Sequence, residues 1–351
     1  MAHNNSAHEL NLLAGEVVEV RSREEILGTL DHEGKMDAMP FMPEMLQYCG
    51  KRFRVYKRAD KTCDTVGIWS LRRVRNAVHL TGVRCDGTSH ADCDAGCLIF
   101  WKEAWLKKVE PDFLTTSSVT QAAPSSVPHP TSVATAPAAC TEQRLQESVL
   151  RADPASPGNT LYTCQATQLE EYSSYLHWWD LRQYVRDIRS GNLRRGIGIS
   201  KSGDLLEAIL AALEVVRSLI INAFNRAQIM RDGALYPHIA GSLETTLNVE
   251  LNLQPGEFVE VRSKEEIMAT LDRKSKNRGL LFDSEMLRYC GGTFRVLKRV
   301  NQIVDERSGR ILKMKSPCII LEGVACISEY HHLCPRAIFH YWREAWLRRV
   351  E

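Results

Sequence analysis

The run GEVVEVRSREEILGTLD, residues 15–31, returns as GEFVEVRSKEEIMATLD at 256–272. EMLQYCGKRFRVYKR (44–58) returns as EMLRYCGGTFRVLKR (285–299), and WKEAWLKKVE (101–110) as WREAWLRRVE (342–351). A single offset of 241 residues aligns 15–110 with 256–351 without a gap, and roughly two positions in five are identical. Agreement over so long a window marks a duplication. The copies are separated in the chain, so they predict two domains of one fold rather than a stacked solenoid.

Each copy opens on an alternating run, Val17, Val18 and Val20 in the first, that reads as a strand. Ser22 with Glu25, and Ser263 with Glu266, have the spacing of a capping box, which predicts a short helix after the strand. Phe41, Met45, Leu46 and Tyr48 predict a further helical turn or two, stopped at Gly50. FRVYKR and VHLTGVRC read as strands from their β-branched and aromatic content. FWKEAWLKKVE suits either a helix, from Trp101 and Trp105, or a closing strand. Short strands and small helices in so few residues predict an α+β domain, compact or closed as a small SH3-like barrel.

Around the repeats, residues 1–14 read as an N-terminal tail. Residues 111–160 read as a flexible linker, because 113–139 is rich in Ser, Thr, Ala and Pro and too poor in apolar area to offset its ordering entropy. Residues 161–255 form a different, helical middle segment. Trp178, Leu181, Tyr184 and Ile188 are at helical spacing before Gly191. In SGDLLEAILAALEVVRSLIINAFNRA, Leu205, Ile209, Leu213, Val216, Ile220 and Phe224 line one face, opposite a narrow strip of Glu207, Glu214 and Ser218. That face predicts packing between the repeats, or an oligomer contact through 203–226. Its polar side is poor in Lys and Arg, which disfavours lipid binding.

Between residues 59 and 100 the copies diverge, yet C-x4-H-x2-C survives in both, as Cys85, His90 and Cys93 and as Cys326, His331 and Cys334. Thiolates and imidazoles at short spacing are the material of metal sites. A closed tetrahedral zinc site needs a fourth ligand. The first copy offers Cys97 or Cys63; the second has Ile338 and Val304 there and offers His332 or Cys318 instead. Four thiols in the first copy also admit an iron–sulfur cluster, although their spacing matches no ferredoxin pattern. The structural alternative is a set of buried thiols behaving as small hydrophobes. Cys49, Cys290 and His79 read as structural, and Cys140 and Cys164 stand alone.

The chain carries 45 basic and 43 acidic residues, a net charge of +2, so a nucleic acid is not the expected partner. The N-terminus lacks a secretory pattern, no uncharged stretch of membrane-spanning length is evident, and no P-loop, dinucleotide fingerprint or HExxH occurs. VEVRSKEEI, FMPEMLQYCGKRFRV, HLTGVRCDG, YWREAWLRRVE and WWDLRQYVRD resemble a group of uncharacterised bacterial proteins with the same tandem layout. The resemblance covers both repeats and the segment before Gly191. It implies a bacterial, cytoplasmic protein and transfers no activity, cofactor or site residue. These readings lead to a non-enzymatic binding or scaffold protein with a protein partner and zinc-stabilised repeats. The rival is a redox or metal-dependent enzyme, or an accessory to one, using the thiols of the first repeat.

Overall fold

The computed structural model describes residues 9–66, 70–109, 140–193 and 204–350, with side chains of the long helix described from residue 208 onward. The stretch 113–139, and the side chains of Leu205 and Glu207, lie outside the described residues.

Each repeat is a five-stranded antiparallel sheet. In the first, the spatial order is Trp101–Lys102, Ala77–Leu80, Arg52–Arg58, Val17–Val20 and Leu106–Lys108. The second repeats it with Trp342–Arg343, Cys318–Leu321, Thr293–Arg299, Phe258–Val261 and Leu347–Arg349. Register is conserved with the offset: Val18 faces Phe53 as Val259 faces Phe294. Even the irregularity between Val55 and Lys57 recurs between Val296 and Lys298. The ambiguous FWKEAWLKKVE resolves as two edge strands joined by the 3-10 turn Glu103–Trp105. The edges do not pair with each other, so neither sheet closes into a barrel.

Both capping boxes form. The Ser22 side chain takes the Glu25 amide and the Glu25 carboxylate takes the Ser22 amide; Ser263 and Glu266 do the same. The core of the first repeat stacks Phe41 edge-on to Trp101 and Trp105, at centroid distances of 6.2 and 5.1 Å. Phe282, Trp342 and Trp346 copy this in the second. Trp105 also donates through its indole to Thr29, as Trp346 does to Thr270. Each tryptophan of that pair therefore buries its ring without stranding its N–H.

The repeats begin earlier than residue 15. The amides of Leu10, Asn11 and Leu12 donate to the buried carboxylate of Glu103, which Arg58 pairs at 2.7 Å. Leu251, Asn252 and Leu253 do the same to Glu344, with Arg299 as its partner. Residues 10–14 are thus part of the domain, not a tail. Residues 140–160 also depart from the linker expectation. Cys140 and Leu145 are buried in the first repeat's core, and the helix Glu142–Ser148, capped by Thr141, leads into a hairpin of Leu150–Ala152 with Thr160–Tyr162.

The first part of the middle segment, residues 161–192, covers the first repeat, whereas Ile239 and Leu253 are buried in the core of the second. Gln165 is buried and bonds Pro40 and Phe100 through backbone groups on both, satisfying its amide completely. The strand Ser173–Leu176 extends the hairpin Thr62–Asp64 with Ser70–Val74. Lys61 and Asp187 form a buried pair at 2.6 Å. The long helix Asp204–Ile229 reverses the sequence expectation. Ser218 and Asn222, hydrogen-bonded to each other, are buried, whereas Leu213, Val216 and Ile220 are more than half exposed. By length and composition alone, Ala208–Ile229 is apolar enough to cross a bilayer.

The two repeats meet directly. The Cys63 amide donates to the sulfur of Cys334 at 3.0 Å, and the Val304 amide donates to the sulfur of Cys93 at 3.3 Å. Cys63 and Val304 are equivalent positions, as are Cys93 and Cys334, so the contact is an isologous pair about a pseudo-twofold. Asp94 anchors one side, accepting from the Asn301 amide and pairing with Lys298 at 3.1 Å. Arg336 anchors the other, bonding Glu306 at 2.8 Å and the Cys63 carbonyl at 3.1 Å. Gly96 lies against Phe339; a Cβ there would sit 2.9 Å from the ring.

Candidate metal centres at equivalent positions

The 3-10 helix Pro43–Tyr48 carries Glu44 inward, almost fully buried. Beyond the strand Ala77–Leu80, the bridge between Arg84 and Leu98 and a bond from the Cys85 amide to the Cys97 carbonyl fix Cys85. His90 follows on a tight loop. That loop needs Gly87, at φ +82°, because a Cβ there would collide with the carbonyl of Cys93 at 2.1 Å. Glu44, Cys85 and His90 each offer one ligand atom, and these lie within 4.8 Å of one another. Glu285, Cys326 and His331 form the same group in the second repeat. The offset of 241 relates all three pairs.

The contacts around the two groups are compatible with a metal-binding role. In the first, His90 turns Nδ1 toward Glu44 Oε1 at 3.3 Å and meets the Thr163 carbonyl through Nε2 at 3.1 Å. In the second, His331 Nδ1 is 3.6 Å from Cys326 Sγ, and Nε2 is 3.4 Å from Asp283. A metal-bound imidazole characteristically donates its other N–H to a carbonyl or carboxylate, and Thr163 and Asp283 offer such acceptors. Asp92 and Asp94, the acids nearest His90 in sequence, do not take this role. Oε2 of Glu44 and Oε2 of Glu285 are buried without a hydrogen-bond partner. An orphaned carboxylate oxygen costs free energy, and the same atom is orphaned in both copies.

Proton balance fits the same picture. Burial acts to raise Glu44, but His90 and the Cys85 thiol outweigh it and hold the carboxyl low. Burial and the Glu44 charge push Cys85 far up, so its thiol keeps its proton. Burial raises Glu285 and Cys326 likewise. A divalent cation would take the place of the thiol protons of Cys85 and Cys326, coupling its binding to proton release and to folding.

The loop is strained alike in both copies. Ala91 and Asp92 have φ of +50° and +54°, and their equivalents His332 and Leu333 have +57° and +60°. Left-handed non-glycine residues held in place twice are a stored cost. They also explain why the third residue of C-x4-H-x2-C leaves the site. The chain reverses after His90 and His331, and Cys93 and Cys334 face the opposite repeat.

The sequence expectation is therefore corrected in part. Cys85 with His90 and Cys326 with His331 come together; Cys93 and Cys334 do not join them, and Glu44 and Glu285 stand in their place. Cys63 turns to Cys334, so the four thiols of the first repeat do not build an iron–sulfur cage among the described residues. Cys97 lines a cavity of about 30 Å³ with Cys85, Cys93 and Cys164, room for one water or ion. Cys318 is a strand residue whose sulfur accepts from Arg343 at 3.0 Å. His332, pushed down to about 3 by burial, lines a cavity of about 930 Å³ beside the long helix. The signal that could have found Glu44 and Glu285 was present: an acid identical in both copies within EMLQYCG and EMLRYCG.

No protein-family model, no curated protein and no solved structure matches this chain.

Proposed function

We propose that the chain is a metal-stabilised, non-enzymatic binding protein whose two repeats each hold one zinc ion through a glutamate, a cysteine and a histidine. One observation carries this reading: the two groups recur at the same three positions, each with the same orphaned glutamate oxygen. A mixed oxygen, sulfur and nitrogen donor set suits zinc better than calcium or magnesium, which take oxygen ligands. The scaffold we infer is SH3-like. The strand order and the 3-10 turn between the two edge strands support that reading. The outward apolar row of the long helix supports a protein partner.

The test is elemental analysis of the reduced, chelator-free protein. Two zinc ions per chain are expected, one after Cys85→Ser or Cys326→Ser, and none in the double variant. Protein that folds with no bound metal would sink the proposal.

A second reading, an enzyme, is favoured by one observation at the second repeat. His331 and Asp283 belong to the wall of the cavity of about 930 Å³, while Cys85 and His90 of the first repeat line the small one. Three protein ligands leave a fourth position for water, the arrangement of catalytic zinc. Hydrolytic activity lost in Cys326→Ser and kept in Cys85→Ser would favour this reading over the first.

A further inference from the structure

We propose that Cys63 and Cys334 are a hydroperoxide-oxidised thiol pair that closes into a reversible disulfide between the two repeats. They are 271 residues apart in the chain, both unpaired and both buried. The Cys63 amide and the Arg336 amide point at the Cys334 sulfur, at 3.0 and 3.4 Å. The Cys63 amide contact brings the two side chains together, and the two thiols interact directly. Arg336 Nη1 holds the Cys63 carbonyl and fixes the strand that carries the thiol.

The pseudo-twofold supplies an internal control. On its other side the same backbone contact joins the Val304 amide to the Cys93 sulfur. Valine satisfies that contact, so packing alone does not require a thiol at the position of Cys63. The pair exists on one side only, and on that side Cys63 forms part of the wall of the cavity of about 930 Å³. That space gives a molecule as small as hydrogen peroxide a path as far as Cys63, and the Cys334 sulfur lies directly behind it, on the Cys63 amide.

The chemistry closes on these two sulfurs. The Cys334 thiol attacks one peroxide oxygen; the O–O bond breaks, giving a sulfenic acid on Cys334 and releasing water. The Cys63 thiol then attacks the sulfenic sulfur. The S–O bond breaks, the disulfide forms and a second water leaves. Two electrons pass from the two thiols to the peroxide, and a dithiol reductant returns them by exchange. Neither cysteine belongs to a Glu/Cys/His group, so the inference stands apart from the zinc reading.

The test treats the reduced full-length protein with hydrogen peroxide, alkylates the remaining thiols and maps peptides without reduction. The expected result is joint loss of two of the eleven free thiols, with a Cys63–Cys334 linked peptide that dithiothreitol abolishes. Cys63→Val, which installs the residue of the second repeat, is expected to leave a sulfenic acid on Cys334 that dimedone traps. Cys93→Val is expected to leave the linkage intact. Cys63 and Cys334 staying alkylatable while other thiols oxidise would overturn the proposal. So would linkages scattered over the cysteines.

Discussion

Thr65 of the first repeat and Glu306 of the second occupy the same position of the duplicated domain, and the Thr65 hydroxyl donates to the Glu306 carboxylate. A residue touching its own equivalent marks the pseudo-twofold. Arg336 completes the contact, donating to Glu306, to Thr65 and to the Cys63 carbonyl. The duplication therefore yields an intramolecular pair, not two modules on a tether.

Arg336→Met is expected to uncouple the repeats. Arg336 is 3% exposed, and its loss strands the Glu306 carboxylate and a buried carbonyl. The cost should be about 3 kcal/mol, at the low end for a broken buried pair because Glu306 keeps some water contact. Calorimetry should show one transition in the native protein and two in the variant. A single transition at an unchanged temperature would refute the coupling.

Much of this molecule was legible in the sequence, for identifiable reasons. Ser22 and Glu25 act within one turn, so spacing alone predicted their capping box. Cys85 and His90 are close in sequence and stayed close in space. Glu44 was hidden because it comes from a different element and reads as an ordinary exposed helix acid. The departure of Cys93 depends on left-handed residues at Ala91 and Asp92, which residue types do not announce. The long helix was misread for another reason. Amphipathic spacing identifies two faces, and only the hydrogen-bonded Ser218 and Asn222 reveal which one turns inward.

Glu103→Ala and Glu344→Ala should each cost about 3–5 kcal/mol, the range for stripping one partner from a buried, charge-paired network. Each glutamate receives three successive amides and an arginine, Arg58 or Arg299. Urea midpoints with an unchanged slope would read the loss. Equal costs in the two repeats are expected; a negligible effect in either would remove the clamp.

His79 should make the fold acid-sensitive. Burial lowers it from 6.5 to about 3, against the favourable bond from Nδ1 to the Ile99 carbonyl. Between those values the unfolded chain binds a proton that the folded chain refuses. Stability therefore rises with pH across this window and falls as pH drops from 6.5 toward 3. His340, lowered to about 4, acts in the same direction. His79→Ile, the residue of the second repeat, should remove about 2–3 kcal/mol of the stability difference between about pH 7 and about pH 4.5. Denaturation midpoints at the two pH values would check this; an unchanged difference would show that His79 does not set it.

The glutamates separate the site described here from the thiol-rich site the sequence suggested. Glu44→Gln keeps the shape of the side chain but removes the charge that faces His90 at 3.3 Å. If Glu44 is a ligand, zinc affinity at the first repeat should fall by more than about 100-fold, beyond what outer-shell changes produce. The second repeat should keep its ion, because Glu285 serves it independently. Cys93→Ser should leave both affinities unchanged, since its sulfur faces the Val304 amide. Competition with a chromophoric chelator would resolve the two sites in each variant. A loss of affinity in Cys93→Ser together with none in Glu44→Gln would restore the cysteine as the third ligand and leave the orphaned carboxylate oxygen without a role.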